Sequence, residues 1–264
     1  MDYRKLCEAA IEVARETGKY IMDKRGNFSY DNIETKGKHN FVTEVDKKAE
    51  EKLVQGLGKI LPDSGFIAEE GTIVKKGKKY NWIIDPLDGT TNYIHNAPPV
   101  AISLALTEND KLITGIILEL SLNECFYAFK DSPSFLNGKE IRVSSVDKVK
   151  NALIATGFPY HNFSRLQPFM ETLGYFFNNS HGIRRMGSAA TDLAYVAAGR
   201  YDAFYEYNLN PWDVAAGSFI IQQAGGKIAD FKGSNNYLFG KEIVAANDKI
   251  FKEFLRIVGN FMNK

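Results

Sequence analysis

The chain has 264 residues, 44% hydrophobic and 25% charged, with 33 Lys+Arg against 32 Asp+Glu. That length supports a large core, as one domain or two packed halves. A formal net charge of +1 offers no global field for nucleic acid or acidic lipid, and no run approaches the ~20 apolar residues of a membrane span.

The N-terminal segment mixes acids with bases and reads as an amphipathic helix, not a signal peptide. Leu6, Ala9, Ala10, Val13, Ala14, Thr17 and Ile21 recur at helical spacing, and Gly26 follows the expected end. Cys7 falls on that apolar stripe and Cys125 in a distant apolar run. With no metal or redox spacing, both read as buried free thiols of a reducing cytoplasm. ETKGKHN (34–40) reads as a basic loop. A second helix is expected with Val42, Val45, Ala49, Leu53, Leu57 and Ile60 on one face and Pro62 at its end. GFIAEEG is a short strand running into a turn, and VKKGKK a solvated lysine loop.

Strand patterns dominate from residue 81 to about 143, in NWIID, VAISLAL, LITGIILEL and ECFYAF, separated by the turn formers END and SLN. From residue 151 the pattern alternates. ALIAT, GIRRM, DAFYE and EIVAA read as strands, and SRLQPFMETLGYFFN, GSAATDLAYVAAG, PWDVAAGSFIIQQAG and NDKIFKEFLRIVGNF as helices. Such a rhythm predicts helices covering a sheet, an α/β (α+β) chain. No repeat or flexible linker is visible. The expected division is 1–147, an N-terminal α+β half, and 148–264, an α/β half that completes one compact unit.

The stretch WIIDPLDGTTN (82–92) raises a question of electrostatics. Two ionised carboxylates about 4 Å apart repel by roughly 4 kcal/mol at the effective dielectric of a protein surface, yet Asp85 and Asp88 sit three residues apart at the end of an apolar run. Pro86 pushes Asp85 to extended geometry and supplies no donor, and Asp88 is expected just past the turn. Gly89 permits close backbone approach, while Thr90 and Thr91 could open a short helix with outward N–H groups. Acids beside an anion-binding backbone make sense if divalent cations sit between them, and magnesium binds through a few carboxylates plus substrate phosphate. Taken alone, D-P-x-D is an ordinary capped turn. Two further sites weaken that reading: AEEG puts Glu69 and Glu70 after a strand, and NPWDVAAG puts Asp213 at a helix start above small residues. Singly, a helix-start Asp is a common cap.

Together these segments resemble the inositol monophosphatase family of magnesium-dependent, lithium-sensitive phosphatases. WIIDPLDGTTN is similar to its first signature and NPWDVAAGSFIIQQAGG to its second. AEEG is similar to its glutamate motif, with Ala68 where glycine is usual. FVTEVD, TGFPY, GIRRMGSAA and DAFYE follow in the family's order. The resemblance implies a layered α/β/α/β/α sandwich of the sugar-phosphatase type. It implies two to three Mg2+ ions: one on Glu69, Asp85 and the Leu87 carbonyl, a second on Asp85, Asp88 and Asp213, and a weaker third on Glu69 and waters. Glu70 is not a direct ligand by that alignment. Asp46 and Thr90 would orient the attacking water, the Gly89 and Thr90 N–H groups would hold phosphate, and Gly187, Ser188, Ala189 and Glu206 would contact the alcohol. The loop before FVTEVD departs from the family: Asn40 stands where some members carry aspartate, and Lys36 is offset by one residue.

The implied reaction is in-line attack by water on phosphorus, with a small phosphorylated polyol, foremost inositol 1-phosphate, as substrate. Alternatives within the class are 3′-phosphoadenosine 5′-phosphate and fructose 1,6-bisphosphate. A catalytically silent phosphate or polyol sensor is the reading from another class, although pure binding has no need of an Asp46–Thr90 pair. A nuclease is disfavoured by the charge balance. A cytoplasmic homodimer without nucleic-acid or membrane partners is expected. His95 follows the helix start, where it could border the pocket, although a lone histidine is more often a structural hydrogen-bonder; His39, His161 and His181 show no paired spacing. Tyr201, Phe204, Tyr205 and Tyr207 alternate as strand residues do and read as core or interface residues, not as a base-stacking surface, and one of Arg184 and Arg185 is expected to face solvent.

Overall fold

A computed structural model describes residues 1–25, 33–37, 40–73, 75–159 and 162–263, with residues 33–37 and 40–43 as backbone alone. Alternation along its strands builds the layers. Helices α1 (Tyr3–Arg25) and α2 (Glu44–Ile60) lay their apolar stripes on one face of a seven-stranded sheet. Its order is β3 (Gly65–Ala68), β4 (Tyr80–Asp88), β5 (Ala101–Glu108), β6 (Lys111–Glu119), β7 (Glu124–Phe129), β8 (Ser134–Leu136) and β9 (Lys139–Ile141). All neighbours are antiparallel except β3 and β4. Successive strand residues point to opposite faces. Trp82, Ile84, Ile102, Leu104, Ile116 and Leu118 therefore meet α1 and α2, while Ile83, Ala101, Ala105, Ile117 and Phe126 face a middle layer.

That middle layer is α5 (Ala189–Ala197) and α6 (Pro211–Gln223), each buried along most of its length, as a helix between two sheets must be. Beyond it lies a five-stranded sheet in the order β11 (Gly182–Arg184), β10 (Leu153–Thr156), β12 (Ala203–Tyr207), β14 (Glu242–Ala246) and β13 (Lys227–Ala229). The outer face of this sheet, with Ile154, Tyr205 and Val244, packs on Phe169 and Phe176 of α4 (Leu166–Asn179) and on Phe254 and Ile257 of α7 (Phe251–Met262). The result is the expected α/β/α/β/α sandwich. No helix among the described residues is long and apolar enough to cross a membrane.

Several boundaries differ from the sequence reading. ETKGKHN is not a plain loop: β1 (Ile33–Gly37) and β2 (Asn40–Thr43) pair as an antiparallel hairpin. Val42 thus belongs to β2, and α2 begins at Glu44. Lysines and a glycine hid a strand whose β-branched residues sit at every second position. β4 does not stop at Asp85 but runs to Asp88, so Asp88 is the last strand residue and not a residue past a turn. Its pairing with β5 shifts register between Asp85 and Asp88, and this bulge accommodates Pro86, which has no N–H for the ladder. The three-residue strands β8, β9 and β13 are too short for a periodic signal. Gly26, His39, His161 and Tyr160 of TGFPY lie outside the described residues.

Cys7 and Cys125 are free and buried, as expected. Burial pushes the Cys125 thiol up to about 12. Tyr201, Phe204, Tyr205 and Tyr207 are also buried, so they serve the core and not an interface.

Candidate active site

The bulge of β4 organises the site. Asp85 is 1% exposed, and its Oδ1 accepts the Leu87 N–H at 2.9 Å, which folds the chain around Pro86. Two residues on, Gly89 has φ +93°, and a Cβ there would lie 2.8 Å from the Pro99 carbonyl oxygen. Only glycine suits that left-handed, crowded position. The chain then enters α3 (Thr90–Ile94). The Thr90 hydroxyl lies 3.1 Å from the Leu87 carbonyl oxygen and 3.3 Å from Oδ1 of Asp46. Asp46 belongs to the first turn of α2 and is buried.

The second half of the chain closes over this turn. Asp88 Oδ2 accepts the Ser188 hydroxyl at 2.6 Å and the Ala190 N–H at 2.7 Å. Ser188 is the N-cap of α5, so Asp88 sits at a helix start whose free N–H groups favour negative charge. Asp213 lies in the first turn of α6, where one carboxylate oxygen accepts the Asn210 N–H at 2.6 Å. Glu69 follows β3, and its own N–H donates to the Ile84 carbonyl at 3.2 Å, tying it to β4. Glu206 comes from β12, where a Cβ on Gly157 would sit 2.0 Å from the Glu206 carboxylate. The glycine of TGFPY is the space that Glu206 fills.

A cavity of about 350 Å³ opens here, lined by Glu69, Asp88, Gly89, Thr90, Gly187, Ser188, Ala189, Glu206 and Asp213. Nine of the twelve residues singled out from sequence thus border one space. Asp46, Asp85 and Leu87 lie behind that lining and are buried. Asp192, Arg185 and Lys241 also line it. Asp192 was not foreseen: it sits inside the apolar pattern of α5, where an acid reads as an interruption. It is 1% exposed, and its Oδ1 has no hydrogen-bond partner among the described residues. Arg185 borders the cavity while Arg184 is exposed. His95 is exposed and outside the lining. Side chains of Lys36 and Asn40 lie outside the described residues, so the part of that loop in a third ion site is not described.

Burial and crowding hold these acids far from ordinary behaviour. Burial raises Glu69, reinforced by Asp213, Glu70 and Asp46. Asp85 is raised by burial and then by Glu69, Asp88 and Asp213. Burial lifts Asp88 to about 6 against the pull of its Ser188 and backbone donors, and Asp213 to about 7 against that of Asn210. Glu206 and Asp192 are raised by burial and by neighbouring acids, with Arg185 opposing.

No ion pair among the described residues engages Glu69, Asp85, Asp88 or Asp213. Hard carboxylate oxygens without a compensating protein cation fit magnesium. Among the described residues no three acid, histidine or cysteine side chains converge closely enough to enclose an ion as they stand. Asp88 and Asp213 each turn one oxygen to protein donors and keep the other for a ligand.

Comparison with known proteins agrees with this architecture. The sequence model described as the inositol monophosphatase family matches residues 2–260. The Nus factor SuhB of Pseudomonas aeruginosa is 39% identical over 254 residues, covering 94% of each chain. The crystal structure of extragenic suppressor protein suhB from Bartonella henselae superposes with a TM-score of 0.90 at 35% identity, over 95% of this chain and 97% of that one. A Thermotoga maritima IMPase superposes with a TM-score of 0.87 at 36% identity, over 96% of each.

Proposed function

The chain belongs to the inositol monophosphatase family, and on that premise we propose a magnesium-dependent phosphomonoesterase that releases phosphate from a small polyol phosphate, foremost inositol 1-phosphate. The observation that carries this reading is the meeting of Glu69, Asp88 and Asp213 with Thr90 around one cavity, with Asp85 and Asp46 behind it. Glu69, Asp85, the Leu87 carbonyl, Asp88 and Asp213 would hold two ions, with Asp85 shared and Glu69 contributing to a weaker third. When bound, the ions supply positive charge for the phosphoryl oxygens and the leaving alkoxide.

The protein's own groups do the rest. The Thr90 hydroxyl has one proton, which Asp46 or the Leu87 carbonyl accepts. A lone pair is left to take a hydrogen bond from the attacking water and orient it. The Gly89 and Thr90 N–H groups meet the phosphate. Gly187, Ser188 and Ala189 border the alcohol, and the Glu206 carboxylate accepts from two neighbouring hydroxyls. This catalytic unit draws on both 1–147 and 148–264. A cytoplasmic homodimer and lithium sensitivity belong to the same reading, checked by light scattering and by inhibition with lithium chloride.

The test is phosphate release from a panel of esters with and without magnesium, repeated with Asp85→Asn. The variant is expected to lose ~100-fold or more in kcat. Near-normal turnover at saturating magnesium would falsify the shared role of Asp85. A second reading rests on the relative's name, that of a Nus factor: a role carried by binding alone and not by phosphate release. It predicts that Asp85→Asn still replaces a relative's SuhB in cells while releasing no phosphate.

A further inference from the structure

Helix α2 carries a second buried acid that the proposed chemistry leaves unused. Glu50 follows Asp46 by four residues, so both lie on one face of the helix, and it is fully buried. An unpaired carboxylate in such a place is strongly unfavourable. Here three donors offset the burial, all from the segment that follows Glu69. Oε2 accepts the Glu70 N–H at 2.7 Å. Oε1 accepts the Thr72 N–H and the Thr72 hydroxyl, both at 2.7 Å.

The Glu70 N–H belongs to the peptide unit whose carbonyl is that of Glu69. Glu69 is therefore gripped on both sides, by Ile84 through its own N–H and by Glu50 through the next one. One turn earlier on the same helix, Asp46 meets Thr90. A rigid helix thus spans the two parts of the site, with the water-orienting pair at one position and the Glu69 peptide at the other. Three hydrogen bonds of 2.7 Å to both carboxylate oxygens fix orientation as well as energy.

We propose that Glu50 is a positioning residue, holding the Glu69–Glu70 peptide so that the Glu69 carboxylate is presented to a divalent cation at a set distance from Thr90 and Asp46. The inference rests on the proposed function. Groups that orient a ligand are worth about 10- to 100-fold in metal affinity, so the effect is measurable without turnover.

The experiment titrates the full chain with Mn2+ alone, an ion that also takes oxygen ligands, and follows the free ion by electron paramagnetic resonance. Glu50→Gln is expected to weaken the tightest site by about 10-fold or more. In a Glu69→Gln background the same change is expected to have almost no further effect, because the two residues act through one contact. Circular dichroism and melting without metal establish that the variant is folded. Should it not fold, Thr72→Val takes its place in the same cycle, losing the hydroxyl donor but keeping both N–H donors, with about a 3-fold or larger loss expected. A folded variant that binds Mn2+ like the parent overturns the proposal, as does an equal loss in the Glu69→Gln background. Asp85→Asn is the control: if it too binds Mn2+ normally, the cation-site reading itself has failed; if it binds weakly while Glu50→Gln does not, only the positioning role falls.

Discussion

Two acidic segments of this molecule look alike in sequence and behave oppositely in the fold. Asp230 begins the turn DFKGS, where its carboxylate accepts N–H groups from Lys232 at 3.0 Å and Ser234 at 2.8 Å, and also the Ser234 hydroxyl. Burial pushes Asp230 up, but Ser234 and Lys232 outweigh it and hold it below its ordinary value. In the bulged strand end of DPLDG, by contrast, Asp85 and Asp88 are both raised, by burial in each case and for Asp85 also by Glu69, Asp88 and Asp213. A capping acid is satisfied by its own loop. The acids of DPLDG are satisfied only in part, and what they lack is positive charge. That difference separates the ordinary turn from the proposed ion site, and it can be tested at three levels.

The largest effect is expected where the acids meet the reacting water. Thr90→Val and Asp46→Asn each remove part of the proton path, and such groups are worth about 10²- to 10⁴-fold in rate. The loss should fall on kcat with KM nearly unchanged, and the double variant should lose little more than either single one, since both act on one proton. Asp230→Asn, the turn acid, should leave kcat within about 2-fold. Equal losses at Asp230 and Asp46 would show that general destabilisation, not chemistry, is being measured.

An intermediate effect is expected at the alcohol side. A buried hydrogen-bonding group left without its partner costs about 1–3 kcal/mol, so Glu206→Gln should lower kcat/KM for a polyol phosphate by about 5- to 100-fold. It should barely alter an aryl phosphate that offers no hydroxyl. Gly157→Ala should reproduce the same selectivity, because its methyl would occupy the space 2.0 Å from the Glu206 carboxylate. Equal losses on both substrates would remove Glu206 from polyol recognition.

What the sequence made legible follows from the range of each interaction. Asp85, Asp88 and Gly89 are adjacent in the chain, so a local motif exposes them. Glu69, Asp213 and Glu206 could be placed with them only through a resemblance that spans the whole chain, since β3, α6 and β12 meet through packing alone. Asp192 stayed hidden because its α5 neighbours Leu193 and Ala194 are core residues, and an isolated acid among them carries no periodic signal. The bulge at Pro86 was likewise not legible: it depends on the pairing of β4 with β5. The hairpin of β1 and β2 was obscured by composition, because backbone pairing needs no apolar alternation where neither face is read as core.

The remaining effect is on stability and not on rate, and it has opposite signs for the acids of the site and for the acid of DFKGS. Asp88 and Asp213 have folded values of about 6 and about 7, against 3.8 ordinarily. Between about pH 4 and pH 7 the folded protein holds protons that the unfolded chain has released, so stability falls as pH rises through that window. Asp230 is held low and contributes the reverse: its stabilisation is present above the ordinary value and lost as pH falls through the folded one. The metal-free protein should therefore melt at a lower temperature at pH 7.5 than at pH 5.5. Magnesium should raise the melting temperature more at pH 7.5, where the carboxylates are free of protons. At pH 7.5 without metal, Asp213→Asn should raise the melting temperature, while Asp230→Asn should lower it. For a chain of this size each kcal/mol corresponds to about 2–4 °C, within reach of differential scanning calorimetry. If both substitutions moved the melting temperature downward, Asp213 would be an ordinary helix cap, and the contrast between the crowded acids of the site and the self-satisfied acid of DFKGS would collapse.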